Sequence, residues 1–241
     1  MKYALLSLII FLSLISCAKK NENYFQTPVT MEDTAHILDT TKRTYLALGD
    51  SYTIGSSVSA AESFPVQTSQ LLKQQSVDLA NPEIIAVNGW TTVNLLRGLN
   101  SNPPKKPPYT FVTLLIGVNN QYQGGSLKQY KIDFSELLAR AISYSGNITN
   151  HVFVLSIPDY SLTPFGSGSY SASTAAEIDA FNAANKSIAL SAGVHYIDVT
   201  PVSREVKNDP LLVAVDGLHP SGHQYMKWSE LLAPAMLNEI R

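Results

Sequence analysis

Short apolar runs alternate with longer amphipathic stretches from Thr44 to the end of the chain. Residues 45–48, 83–87, 111–116, 151–157 and 194–199 predict five strands. The third, Phe-Val-Thr-Leu-Leu-Ile, is almost wholly apolar, the pattern of a parallel strand covered on both faces. Between the strands, apolar residues return every three or four positions, the period of a helix with one buried face. Phe64, Val66, Leu71 and Leu72 mark a helix over 63–75, and Val93, Leu95, Leu96 and Leu99 a shorter one over 91–99. Ile132, Phe134, Leu137, Leu138 and Ile142 mark a long one over 127–143. Further helices are predicted over 175–192 and 221–240. Strands alternating with helices give an α/β fold, a doubly wound parallel sheet with helices on both faces. Pro and Gly gather in the connections 101–108 and 161–173, and nothing marks a second domain.

Ahead of this body the pattern changes. Lys2 precedes an apolar run from Ala4 to Ile15, too short for a comfortable membrane span and typical of an export signal. The run ends in Leu14-Ile15-Ser16-Cys17, which resembles the bacterial lipobox, in which the cysteine is lipidated and becomes the first mature residue. The expected organisation is a lipoprotein signal peptide over 1–16, a polar tether over 17–42 and one domain over 43–241. Lipid on Cys17 would make the membrane a partner. Ala18 is not the aspartate linked to inner-membrane retention in some bacteria, which leans toward the outer membrane. Cys17 is the only cysteine, so no disulfide and no cysteine-based metal site is available. With 17 Lys+Arg against 19 Asp+Glu and no basic stripe, nucleic acid is not an expected partner.

The candidate chemistry lies at the strand ends, where open α/β sheets bind ligands. Gly49-Asp50-Ser51 follows the first strand, Gly89 the second and Gly117-Val118-Asn119 the third. Asp216-Gly217-Leu218-His219-Pro220 precedes the closing helix, which Pro220 is expected to begin. A serine hydroxyl is a weak nucleophile until a base takes its proton, and a histidine oriented by a carboxylate is the usual base. Acyl transfer also needs donors for the developing oxyanion. Ser51 and Gly89 offer backbone N–H groups, and Asn119 a side-chain amide. Tyr52 and Trp90, beside Ser51 and Gly89, are candidate substrate contacts. So are Tyr160 and Phe165 in the loop leaving the fourth strand. No Gly-x-Ser-x-Gly elbow, Gly-x-Gly-x-x-Gly or Walker sequence is present, so an α/β-hydrolase elbow and a nucleotide cofactor are unsupported. His219 and His223 have i, i+4 spacing but no third ligand, so no metal is expected. His195 and Asp198 read as structural strand residues, and His36 and His151 have no evident partners.

Four blocks in this order resemble the SGNH/GDSL hydrolase family over residues 44 to about 240. The resemblance implies a three-layer α/β/α sandwich with a five-stranded parallel sheet, flavodoxin-like in kind. It implies Ser51 as nucleophile, Asp216 and His219 as its acid and base partners, and Gly89 and Asn119 with Ser51 as the oxyanion hole. Neither metal nor organic cofactor is needed. Asn120 stands where the family usually has Asp, a residue that supports the loop and borders the substrate. The expected activity is ester hydrolysis through an acyl-enzyme, on a small-molecule or carbohydrate ester. The alternatives are O-deacetylation of a polysaccharide or cell-wall polymer, and a non-catalytic surface binding lipoprotein.

Overall fold

The protein is described by a computed structural model covering residues 42–168 and 171–241. The expected signal peptide, the tether up to residue 41, Cys17 and His36 lie outside the described residues. The strands are β1 (Tyr45–Gly49), β2 (Glu83–Ala86), β3 (Phe111–Leu115), β4 (Val152–Leu155) and β5 (His195–Ile197). They form one sheet in the order β2-β1-β3-β4-β5, parallel throughout. The three-layer fold read from the pattern is therefore the observed one. β1, β3 and β4 are buried along their whole length, which is why their sequences are continuously apolar.

Five longer helices cover the sheet: α2 (Phe64–Gln74), α3 (Thr92–Ser101), α5 (Leu127–Tyr144), α6 (Ser171–Ser191) and α8 (Gly222–Asn238). α2 packs on α8, while α5 packs on both α3 and α6. Phe64, Tyr225 and Trp228 fill the first seam with ring centroids 5.0–6.4 Å apart. Tyr130, Phe134 and Phe181 fill the second at 4.7–5.5 Å. Three short helices, α1 (Ser51–Ile54), α4 (Val118–Tyr122) and α7 (Thr200–Arg204), were not legible in the pattern. Four or five residues are too few to show a 3.6-residue period. α6 begins four residues before the expected start, because Ser, Ala and Thr carry no hydrophobic mark.

β2 to β5 end one or two residues inside the apolar runs, since apolar residues past the ladder still enter the core, while β1 runs one residue beyond its own to Gly49. Ile116 and Ile157 are buried beyond their strands. Asp198 falls beyond β5 and accepts the Ser156 hydroxyl at 3.0 Å. His195 stacks on Phe153 at 4.8 Å and its Nε2 lies 3.0 Å from Glu239 Oε1. His151 is not without partners: its ring lies 6.1 Å from that of Phe111 and it bonds near Glu239, while burial pushes its pKa down. Pro220 does not begin the closing helix. Ser221 is the N-cap, its hydroxyl accepting from the Gln224 N–H, and Pro220 pairs with Val213 in an antiparallel bridge.

The sheet order places the site. The chain leaves β1 outward to β2, then returns past β1 to β3. Connections after β1 and β3 therefore run in opposite directions and open a crevice at their carboxyl ends.

Candidate active site

β1 ends at Gly49, where a Cβ would stand 2.1 Å from Thr53 Oγ1 and 2.4 Å from the Leu115 carbonyl oxygen. Only glycine lets the chain turn this tightly beside β3. Asp50 caps α1, its Oδ1 accepting the Tyr52 N–H at 3.0 Å. Burial pushes the Asp50 carboxyl up to about 7 despite backbone donors, and its Oδ2 has no hydrogen-bond partner. Ser51 is the first residue of α1 and lines a cavity of about 190 Å³.

The loop after β2 brings Gly89 to the same cavity with φ of +78°. A Cβ there would meet nothing within 4 Å. The glycine is thus needed for its left-handed backbone and not for space. The neighbouring Asn88 also lines the cavity and accepts the Ser56 hydroxyl at 2.5 Å.

β3 leads into α4, which carries Asn119. Its Nδ2 donates to the Trp90 carbonyl at 3.0 Å, tying the β3 loop to the β2 loop. An amide nitrogen has two hydrogens, so one remains for a ligand in the cavity that Asn119 lines.

Asp216 and His219 sit on a tight loop closed by Ala214 N–H to His219 carbonyl (2.8 Å) and Ser221 N–H to Leu212 carbonyl (2.9 Å). Asp216 Oδ2 lies 2.5 Å from His219 Nδ1 and also accepts the Ser57 hydroxyl at 2.7 Å. Its Oδ1 accepts the Leu218 and His219 N–H groups at 2.9 and 3.0 Å. Burial raises the Asp216 pKa, but these donors outweigh it and hold the carboxyl well below the usual range. The Tyr52 ring backs the imidazole, with centroids 5.5 Å apart. Ser51 and His219 line one cavity without a direct hydrogen bond, a spacing common before a substrate draws nucleophile and base together.

Two expected substrate contacts are not in the cavity wall. The Trp90 indole lies against α3, where a Cβ on Gly98 would meet it at 2.4 Å, so only the Trp90 carbonyl serves the site. The Asn120 side chain is spent on Thr92, accepting its N–H at 3.0 Å and donating to its hydroxyl at 2.8 Å. Tyr52, Tyr160 and Phe165 do line the cavity. Sequence reasoning missed Asn88, Val118, Tyr122 and Leu218 in the wall, and Ser57 behind Asp216. Tyr122 stands one helical turn from Asn119 and becomes legible once α4 is known. Ser57, at φ of +65°, carries no sequence signal.

The comparisons with known proteins decide the family. Residues 47–226 match the model of the GDSL-like lipase/acylhydrolase family. The chain belongs to that family. No curated protein matches it. Among solved structures, the lipase Lip_vut3 from a goat rumen metagenome is similar, with a TM-score of 0.64 and 21% identity over 80% of this chain and 97% of that one. TesA has a TM-score of 0.63 and 17% identity over 80% and 98%. The acetyl xylan esterase AlAXEase has a TM-score of 0.62 and 15% identity over 82% and 100%. At these identities the similarity establishes a shared fold. The GDSL family membership of this chain rests on the family match, which runs from within β1 to the first turns of α8.

Proposed function

We propose that the protein is a serine esterase, exported and lipid-anchored, that cleaves carboxylic esters through an acyl-enzyme. One observation carries the reading: Ser51, the His219–Asp216 pair, Gly89 and the Asn119 amide, from four separate segments, meet at one cavity. Ser51 Oγ attacks the ester carbonyl carbon while His219 Nε2 takes its proton. Asp216 holds the proton on Nδ1 and stabilises the imidazolium. The carbonyl oxygen becomes an oxyanion held by the Ser51 and Gly89 N–H groups and the free hydrogen of the Asn119 amide. The tetrahedral intermediate collapses, the C–O bond to the alcohol breaks, and the His219 proton passes to the departing oxygen. Water then adds to the acyl carbon with His219 again as base, releasing the acid and restoring Ser51. None of these steps calls on a cofactor.

Ser51→Ala and His219→Ala should each abolish most hydrolysis of p-nitrophenyl esters, and the double variant should be little worse, because the two act as a unit. Undiminished turnover by purified Ser51→Ala would sink the assignment. Cys17, after Leu14-Ile15-Ser16, supports the anchor. Cys17→Ala should release the protein from membranes with activity intact, and mass spectrometry of the wild type should find lipid on Cys17.

A further inference from the structure

Two kinds of side chain line the cavity. Ser51, Asn88, Asn119 and His219 supply its polar groups. Most of the rest of the lining is apolar or aromatic, and three of the rings touch one another. Tyr122, Tyr160 and Phe165 stand 6.0–6.3 Å apart, centroid to centroid, in a triangle. Tyr160 is buried, and its hydroxyl is turned to Gln121 Oε1 at 2.9 Å, with Gln121 held in turn by Glu177 at 2.7 Å. The Tyr160 ring is therefore a fixed floor whose polar end is already satisfied. Tyr122 and Phe165 are 58% and 53% exposed and form the rim. Phe165 is braced by its own N–H, which donates to the Gly217 carbonyl at 2.9 Å in the loop that carries His219.

We propose that this aromatic cup binds the acyl group and selects butanoyl to hexanoyl chains, with Tyr122 and Phe165 setting the limit. The inference rests on the esterase reading. The acyl group stays on Ser51 through both half-reactions, and its carbonyl oxygen is held beside Asn119. Val118 precedes Asn119 and Tyr122 follows it by one turn, so the cup is walled from the oxyanion side. The alcohol departs past His219, which gives it a proton. Size gives the chain length. At about 190 Å³ the cavity is smaller than the roughly 300–1,000 Å³ of sites that engulf drug-sized ligands. An acetyl group leaves most of the apolar wall unfilled. A palmitoyl chain must run out between the rim rings into water.

Each methylene that enters an apolar wall is worth about 0.8 kcal/mol, roughly a fourfold gain. The test measures kcat/KM for p-nitrophenyl esters from acetate to palmitate, at concentrations where each is dispersed, beside fluorophosphonate labelling of the same preparation. We expect a maximum at butyrate to hexanoate, about tenfold above acetate, with a fall beyond octanoate. In Phe165→Ala and in Tyr122→Ala the butyrate-to-acetate ratio should drop severalfold and the maximum move to octanoate or longer. Both side chains are exposed, so their truncation spares the core. A labelled, active enzyme with a flat profile, or one highest at acetate or at palmitate, overturns the cup and leaves the esterase reading standing. A Phe165→Ala change that alters the ratio of naphthyl to ethyl acetate, and not the chain-length ratio, assigns the wall to the alcohol and also overturns it. Absence of both labelling and hydrolysis removes the esterase reading itself.

Discussion

At the scale of single residues, the candidate oxyanion donors differ in what their loss would do. Asn119 spends one amide hydrogen on the Trp90 carbonyl and offers the other to the cavity. Charge on the carbonyl oxygen develops only in the transition state, so Asn119→Ala should lower kcat about 10²–10³-fold with little change in KM. Steady-state kinetics on one soluble ester settles the point, and a raised KM with unchanged kcat would refute the role. Gly89 is different, because its contribution is a backbone N–H whose direction depends on φ. The space at Gly89 would admit a methyl group, but φ of +78° would not suit one, at a cost of about 1–2 kcal/mol. Gly89→Ala should therefore lower kcat by turning the N–H away while the cavity stays open. A variant with wild-type kcat would remove Gly89 from the hole. Ser51, Gly89, Asn119 and His219 were legible in the sequence because each follows a strand or precedes the last helix. Ser57 was not: its hydroxyl reaches Asp216 across 159 positions of sequence.

Between elements, the hydrogen bonds of Asn120 explain why the family's usual Asp does not suit this chain. The Asn120 amide donates to the Thr92 hydroxyl at the start of α3, and that hydroxyl donates onward to Asp133 on α5 at 3.0 Å. Gln129 holds the other Asp133 oxygen at 2.8 Å. An aspartate at 120 would put two carboxylates on one hydroxyl, which has a single hydrogen to give. Asn120→Asp should lower stability by about 1–3 kcal/mol in chemical denaturation, and Asp133→Asn should recover part of the loss. Because Asn120 does not line the cavity, kcat should shift less than about tenfold. An unchanged midpoint would break this account. Periodicity gave the long helices α2, α3 and α5 to within two residues at each end. It gave nothing of α1 or α4, although α1 carries Ser51, the proposed nucleophile, and α4 the Asn119 amide.

For the molecule as a whole, two carboxyls near the site titrate in opposite senses. Asp50 is fully buried, and burial lifts its carboxyl to about 7, above the 3.8 of an unperturbed group. The neutral form is favoured by folding, so this contribution to stability is fully present below about pH 4. It is lost as pH rises through about 7. Asp216 is held low by its donors, so its contribution is present above the ordinary carboxylate range and lost only as pH falls through it. The two windows barely overlap. Between pH 5 and 8 the wild-type Tm should carry a decline due to Asp50, and Asp50→Asn should remove it while keeping an acceptor for the Tyr52 N–H. Parallel Tm profiles for the two proteins across that range would show that Asp50 does not titrate there.

The sequence by itself determined the fold class, the order of the five strands along the chain and the four blocks that meet at the site. Those signals are local. Strand and helix periods, turn residues and strand-end motifs are all written within ten or so neighbouring residues. Tertiary structure alone decided the rest, and for one reason: what a side chain touches depends on elements far away in sequence. Trp90 turned from the cavity to α3 because Gly98 leaves room for its ring. Asn120 turned to Thr92, whose hydroxyl needs a donor facing it. Tyr122, Tyr160 and Phe165, from two connections on neighbouring strands, became one wall only when β3 and β4 paired. Asp50 acquired its raised pKa from burial in the folded chain, a property no dipeptide carries.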